Sequence, residues 1–116
     1  MSDFAWSLKN GDLEQVKDFV ERQLIDINKD IDGRPPLHYA ADYGQKEVIQ
    51  YLIEKGADLN SKDKHGISAL LAAIWEGHTD CVRLLLQKGA NKQGTTPDGS
   101  SYYEAAEKEE IKVLLK

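Results

Sequence analysis

The chain has 116 residues and a mass of 13.0 kDa, with 41% apolar and 30% charged side chains, which fits one soluble globular domain and leaves too little chain for a second core. A net charge of −5 and a pI near 5.1 have the wrong sign for gripping a phosphate backbone, so nucleic acid is excluded as the expected partner. The longest apolar run, Ala69 to Trp75, is far short of the ~18 residues that span a bilayer, and the single Cys81 closes no internal disulfide.

The first predicted helix opens the chain at Phe4-Ala5-Trp6-Ser7-Leu8 and stops at Gly11. Its leading residues, Met1-Ser2-Asp3, lack the basic and then apolar stretch of a secretory signal, so a cytoplasmic location is expected, with the nucleus open by diffusion to a chain this small. A second helix follows the Gly11 corner, and an extended return leads to a turn at Asp32-Gly33-Arg34. The pattern then repeats: Pro36-Leu37-His38-Tyr39-Ala40-Ala41, a corner at Gly44, Val48-Ile49-Gln50-Tyr51-Leu52, and an exit at Gly56-Ala57-Asp58. It repeats again as Lys64-His65-Gly66, Ala69-Leu70-Leu71-Ala72-Ala73, Gly77, Val82-Arg83-Leu84-Leu85-Leu86 and Gly89-Ala90-Asn91. Gly11, Gly44 and Gly77 stand 33 residues apart, as do Gly33, Gly66 and Gly99, and the pair Gly56 and Gly89. A fixed interval of this length signals stacked supersecondary units, none of which can bury its apolar face alone. Leu37 with Leu70, Ala40 with Ala73, and Leu52 with Leu85 are the expected ladders between units. The last unit is shorter by four residues at its corner, where Glu107, Lys108, Glu109 and Glu110 precede Ile111-Lys112-Val113-Leu114-Leu115. Charge there suits the solvent-facing cap of a stack. The units divide the single domain, residues 1–116, at about 1–29, 30–62, 63–95 and 96–116.

The residues that could carry chemistry do not gather. His65 and His78, the closest pair of histidines, are 13 apart, and His78 with Cys81 supplies two zinc ligands where four, or three plus water, are needed. Cys81 shares the register of Val48 and reads as a packed thiol. No nucleophile elbow, phosphate loop or Cys/His couple appears, and the glycines punctuate the repeat. No catalytic residue, cofactor or metal is expected.

A 33-residue period with Leu-His-x-Ala-Ala at residues 37–41, glycine corners, and Gly-Ala-Asp at 56–58 resembles the ankyrin repeat, in four units across the whole chain. The resemblance implies an all-α solenoid of helix-turn-helix units joined by hairpin loops, a monomer whose function is to bind protein. Pro35 stands where the family usually has threonine and Leu71 where it has the motif histidine, which weakens the local hydrogen-bond network without changing the assignment. The same resemblance implies a concave surface of hairpin tips and first-helix ends. Large aromatic and charged residues on it that the repeat does not require are the binding candidates: Trp6, Asp32, Arg34, Asp42, Tyr43, Trp75 and Glu76. Tyr43 and Trp75 are read as one type of position beside the corner glycine.

Phe4 through Leu13, Pro36 through Asp42, Asp63-Lys64-His65, Glu76-Gly77-His78 and Pro97-Asp98-Gly99 further resemble a small four-repeat cytosolic branch of the family. That resemblance implies binding to the heterodimeric actin capping protein over its basic surface, and inhibition of barbed-end capping by occupation. Rel-type transcription factors, which other ankyrin stacks bind, are the alternative partner, and a scaffold without regulatory activity is the third reading.

Overall fold

A computed structural model describes residues 3–116, which form eight helices and no extended strand. The helices come in pairs: α1 (Asp3–Asn10) with α2 (Leu13–Glu21), α3 (Pro36–Asp42) with α4 (Lys46–Glu54), α5 (Ala69–Trp75) with α6 (Thr79–Gln87), and α7 (Tyr102–Ala105) with α8 (Glu109–Leu115). First helices pack side by side in the order α1, α3, α5, α7, and second helices in the order α2, α4, α6, α8, giving two layers in a body of 40 × 24 × 22 Å. Between pairs the chain makes tight hairpins closed by single bridges, Ile31 with Arg34, Lys62 with Ser68, and Thr95 with Ser101.

The two layers differ because their sequences do. In α3 and α5 six of seven residues are buried, as required of helices held between neighbours on both sides. The second helices bury one stripe, Val48, Ile49, Tyr51 and Leu52 on α4 and Cys81, Val82, Leu84 and Leu85 on α6. Leu37, Leu70, Leu52 and Leu85 are all buried, so the expected ladders form the core. Helix starts are fixed locally. Asp12 accepts from the Gln15 N–H, Ser68 from the Leu71 N–H, and Ser101 forms a capping box with Glu104. Pro35, at the matching position before α3, offers no such acceptor.

The corner glycines do two things. Gly11, Gly44 and Gly77 have φ of +71°, +72° and +73°, which L-residues avoid. Each also lies beneath a side chain from the next pair. Gln45 Nε2 donates to the Lys9 carbonyl (2.7 Å), His78 Nε2 to the Asp42 carbonyl (2.9 Å), and Lys108 Nζ to the Gly77 carbonyl (2.8 Å). Lys108 thus continues the series in the trimmed last pair, where no glycine corner exists. On the opposite edge Asn28 Oδ1 accepts from the Asp58 N–H (2.8 Å) and Asn60 Oδ1 from the Asn91 N–H (2.9 Å), stitching successive loops. Leu24, after α2, adopts φ +56° and is largely exposed, whereas the exits after α4 and α6 use Gly56 and Gly89.

Candidate partner-binding surface

Each hairpin tip is closed by its own hydrogen bonds. Asp32 (φ +53°) and Gly33 (φ +83°) form a two-residue turn closed by paired backbone bonds between Ile31 and Arg34. The next tip is built around the buried Asp63 carboxylate, which accepts from the His65 and Ile67 N–H groups (2.8 and 3.0 Å). The Lys64 N–H donates to the Gly33 carbonyl (3.0 Å), linking the two tips. In the last tip Asp98 is exposed and its carboxyl is held below the ordinary range by the Thr96 hydroxyl and then by Ser100.

Arg34 is held in a cage. Its guanidinium lies 3.4 Å from Asp42 and 3.5 Å from Asp63, and stacks over the Tyr39 ring at 5.1 Å. The Lys9 ammonium lies over two rings, 5.6 Å from Tyr39 and 5.8 Å from Tyr43. Arg34 and Asp42 are therefore partly exposed and engaged with each other, while Asp32 and Glu76 face solvent. Sequence reasoning singled out Arg34 and missed Asp63 and Tyr39, which hold it. The available signal was register, since Asp63 opens its tip as Asp30 opens the preceding one.

Four large aromatic side chains stand out of the first-helix layer, Trp6 at 51% exposure, Tyr43 at 51%, Trp75 at 46% and Tyr103 at 39%. Their registers differ. Trp75 matches Asp42 and Tyr43 matches Glu76, so the two rings stand at adjacent register positions and are not one position repeated. Trp6 matches Tyr39 and Ala72, both buried; Lys9 covers Tyr39 from the preceding pair, and among the described residues no preceding pair covers Trp6.

Charge is divided between the layers. The tip and first-helix segments, 3–11, 30–44, 63–77 and 96–107, carry nine acids and three bases, Lys9, Arg34 and Lys64. Eleven acids and twelve bases make up the remaining segments, so the net charge of the protein resides on the side that carries the exposed aromatics.

The groups considered for metal or nucleophilic roles are used in packing. His78 is spent on the Asp42 carbonyl. Burial, and next the Asp80 charge, pushes the Cys81 thiol up to about 11. Among the described residues no group of three or more His, Cys, Asp or Glu side chains is arranged to hold a metal ion, and no helix is long and apolar enough to cross a membrane.

The family model for ankyrin repeats matches residues 4–96. The chain belongs to the ankyrin-repeat family. Within it the protein is a myotrophin-like small ankyrin protein, 52% identical to myotrophin of Xenopus tropicalis over 97% of this chain and 96% of that one. It is 43% identical to the 26S proteasome non-ATPase regulatory subunit 10 of Dictyostelium discoideum over 72% of this chain and 37% of that one. It is 32% identical to human protein phosphatase 1 regulatory subunit 27 over 83% of this chain and 63% of that one. Ankyrin repeats point to protein partners.

Proposed function

We propose that this protein binds the heterodimeric actin capping protein in the cytoplasm and inhibits barbed-end capping by occupying its basic surface. The observation that carries the reading is the similarity to myotrophin along nearly the full length of both chains, the branch for which this partner is implied. The separation of charge supports it, because the acidic layer suits a basic partner and steers its approach. Trp6, Tyr43 and Trp75 supply desolvated contact, and Asp32, Asp42 and Glu76 supply complementary charge, with Arg34 between them. The test is barbed-end elongation of pyrene-actin with capping protein present, titrating the wild-type chain and Trp75→Ala, both checked for folding by circular dichroism. Wild-type protein is expected to restore elongation, and Trp75→Ala to need about thirtyfold more, the equivalent of ~2 kcal/mol. No restoration at micromolar excess defeats the partner assignment; equal potency of the two chains defeats the placement of Trp75 in the contact.

A further inference from the structure

Asn10 is the last residue of α1 and the sole asparagine in the chain followed by glycine. It is exposed, and its Nδ2 donates to the Trp6 carbonyl (2.8 Å). Asn28 and Asn60 are committed to the stitching between loops, and Asn91 accepts from the Gln93 N–H (3.0 Å) within its own turn. The fold does not need an amide at position 10, since Tyr43 and Glu76 occupy the same register in the following pairs. Gly11 has φ +71° and no Cβ, so nothing on residue 11 screens its amide nitrogen from the Asn10 side chain. The α1 helix has a neighbouring first helix on one side, while α3 and α5 each lie between two, so its last turn opens at less cost than theirs.

We propose that Asn10 is a site of spontaneous deamidation, a modification independent of any partner. In the opened turn the Gly11 amide nitrogen bonds to Asn10 Cγ, the Cγ–Nδ2 bond breaks, and ammonia leaves carrying the displaced proton. Water then opens the five-membered imide at either carbonyl, giving aspartate or isoaspartate. Both products add a negative charge to the acidic layer. They differ in their effect on the corner. Aspartate keeps the main chain and places an acid where the third pair has Glu76. Isoaspartate adds a methylene to the backbone beside Gly11, where Gln45 already reaches across to the Lys9 carbonyl and an added Cβ would collide with Gln45 Oε1. The isoaspartate form should therefore loosen the first helix pair from the second.

The experiment ages the full-length protein at mildly alkaline pH, folded and in urea, with peptide mapping by mass spectrometry. Fragmentation separates aspartate from isoaspartate. The Asp-Gly steps at 32–33 and 98–99 pass through the same imide without a mass change, so the mass gain isolates the asparagines. The expected result is conversion of Asn10 in the folded protein on the order of tenfold faster than Asn28, Asn60 or Asn91, with Asn10→Gln keeping its mass over the same period. The isoaspartate fraction should melt below the Asn10→Asp variant. If folded protein retains the Asn10 amide while the urea-unfolded chain loses it, the bond to the Trp6 carbonyl protects the site and the proposal is overturned.

Discussion

His38 is fully buried at the start of α3, donates from Nε2 to the Ile67 carbonyl (2.7 Å), and leaves Nδ1 without a hydrogen-bond partner among the described residues. Ser68, 33 residues after Pro35, offers a hydroxyl that caps its helix through the Leu71 N–H, whereas Pro35 offers no hydroxyl beside His38. Burial lowers the imidazole pKa from 6.5, prevailing over the Ile67 carbonyl and the Asp63 carboxylate, which raise it, while Arg34 lowers it further and Asp30 opposes. A folded-state pKa below the unfolded one means that the unfolded chain takes up the proton first as pH falls. The stability this group supports is therefore intact above about 6.5 and is lost on acidification. Leu71 fills the same register when the histidine is absent, so His38→Leu should fold. It is expected to be about 1 kcal/mol less stable at neutral pH, because the Ile67 carbonyl loses its donor, and to lose much less stability than wild type on going from neutral pH to about pH 5. Urea unfolding at stepped pH reads both; equal acid losses in the two proteins would show that another group titrates.

The glycine interval is visible in the sequence, but only half of its cause is. A period of 33 announces left-handed corners, whereas the side chain that crosses each corner comes from a residue 31 or 34 positions later whose type varies from glutamine to histidine to lysine. The two demands separate experimentally at two glycines of nearly equal φ. Gly44 (φ +72°) has His78 Nδ1 2.7 Å from the place a Cβ would take, and Gly66 (φ +78°) has nothing within 4 Å. Gly66→Ala should cost about 1 kcal/mol for backbone strain alone, and Gly44→Ala about 2–3 kcal/mol because His78 must also be displaced. Equal costs in chemical denaturation would mean that the inter-pair bond from His78 to Asp42 contributes nothing. The same limit hid the Arg34 cage and the pairing of Ser68 with the Tyr102 hydroxyl (2.7 Å), since period and hydropathy reveal which faces meet but not which polar atoms do.

At the scale of the whole molecule the helix pairs, their order and the buried ladders were legible, because each recurs at the same interval and one reading corrects another. The division of charge was equally present in the residues, and it emerges only when acids and bases are summed by layer. It matters because the body is 24 and 22 Å in its shorter dimensions, nearly three Debye lengths of ~8 Å at physiological salt, so the two layers act as separate electrostatic surfaces. Net charge alone then predicts little about association, and position predicts much. Glu76→Lys on the aromatic side and Glu54→Lys on exposed α4 both take the net charge from −5 to −3. With the capping heterodimer as partner, Glu76→Lys is expected to slow association about tenfold and to set like charges against the basic surface. Glu54→Lys should stay within about twofold of wild type, and added salt should narrow the difference between the variants. Stopped-flow association rates over a salt series make the comparison. Equal slowing by both reversals would mean that the partner senses total charge, and slowing by Glu54→Lys alone would move the docking surface to the second-helix layer.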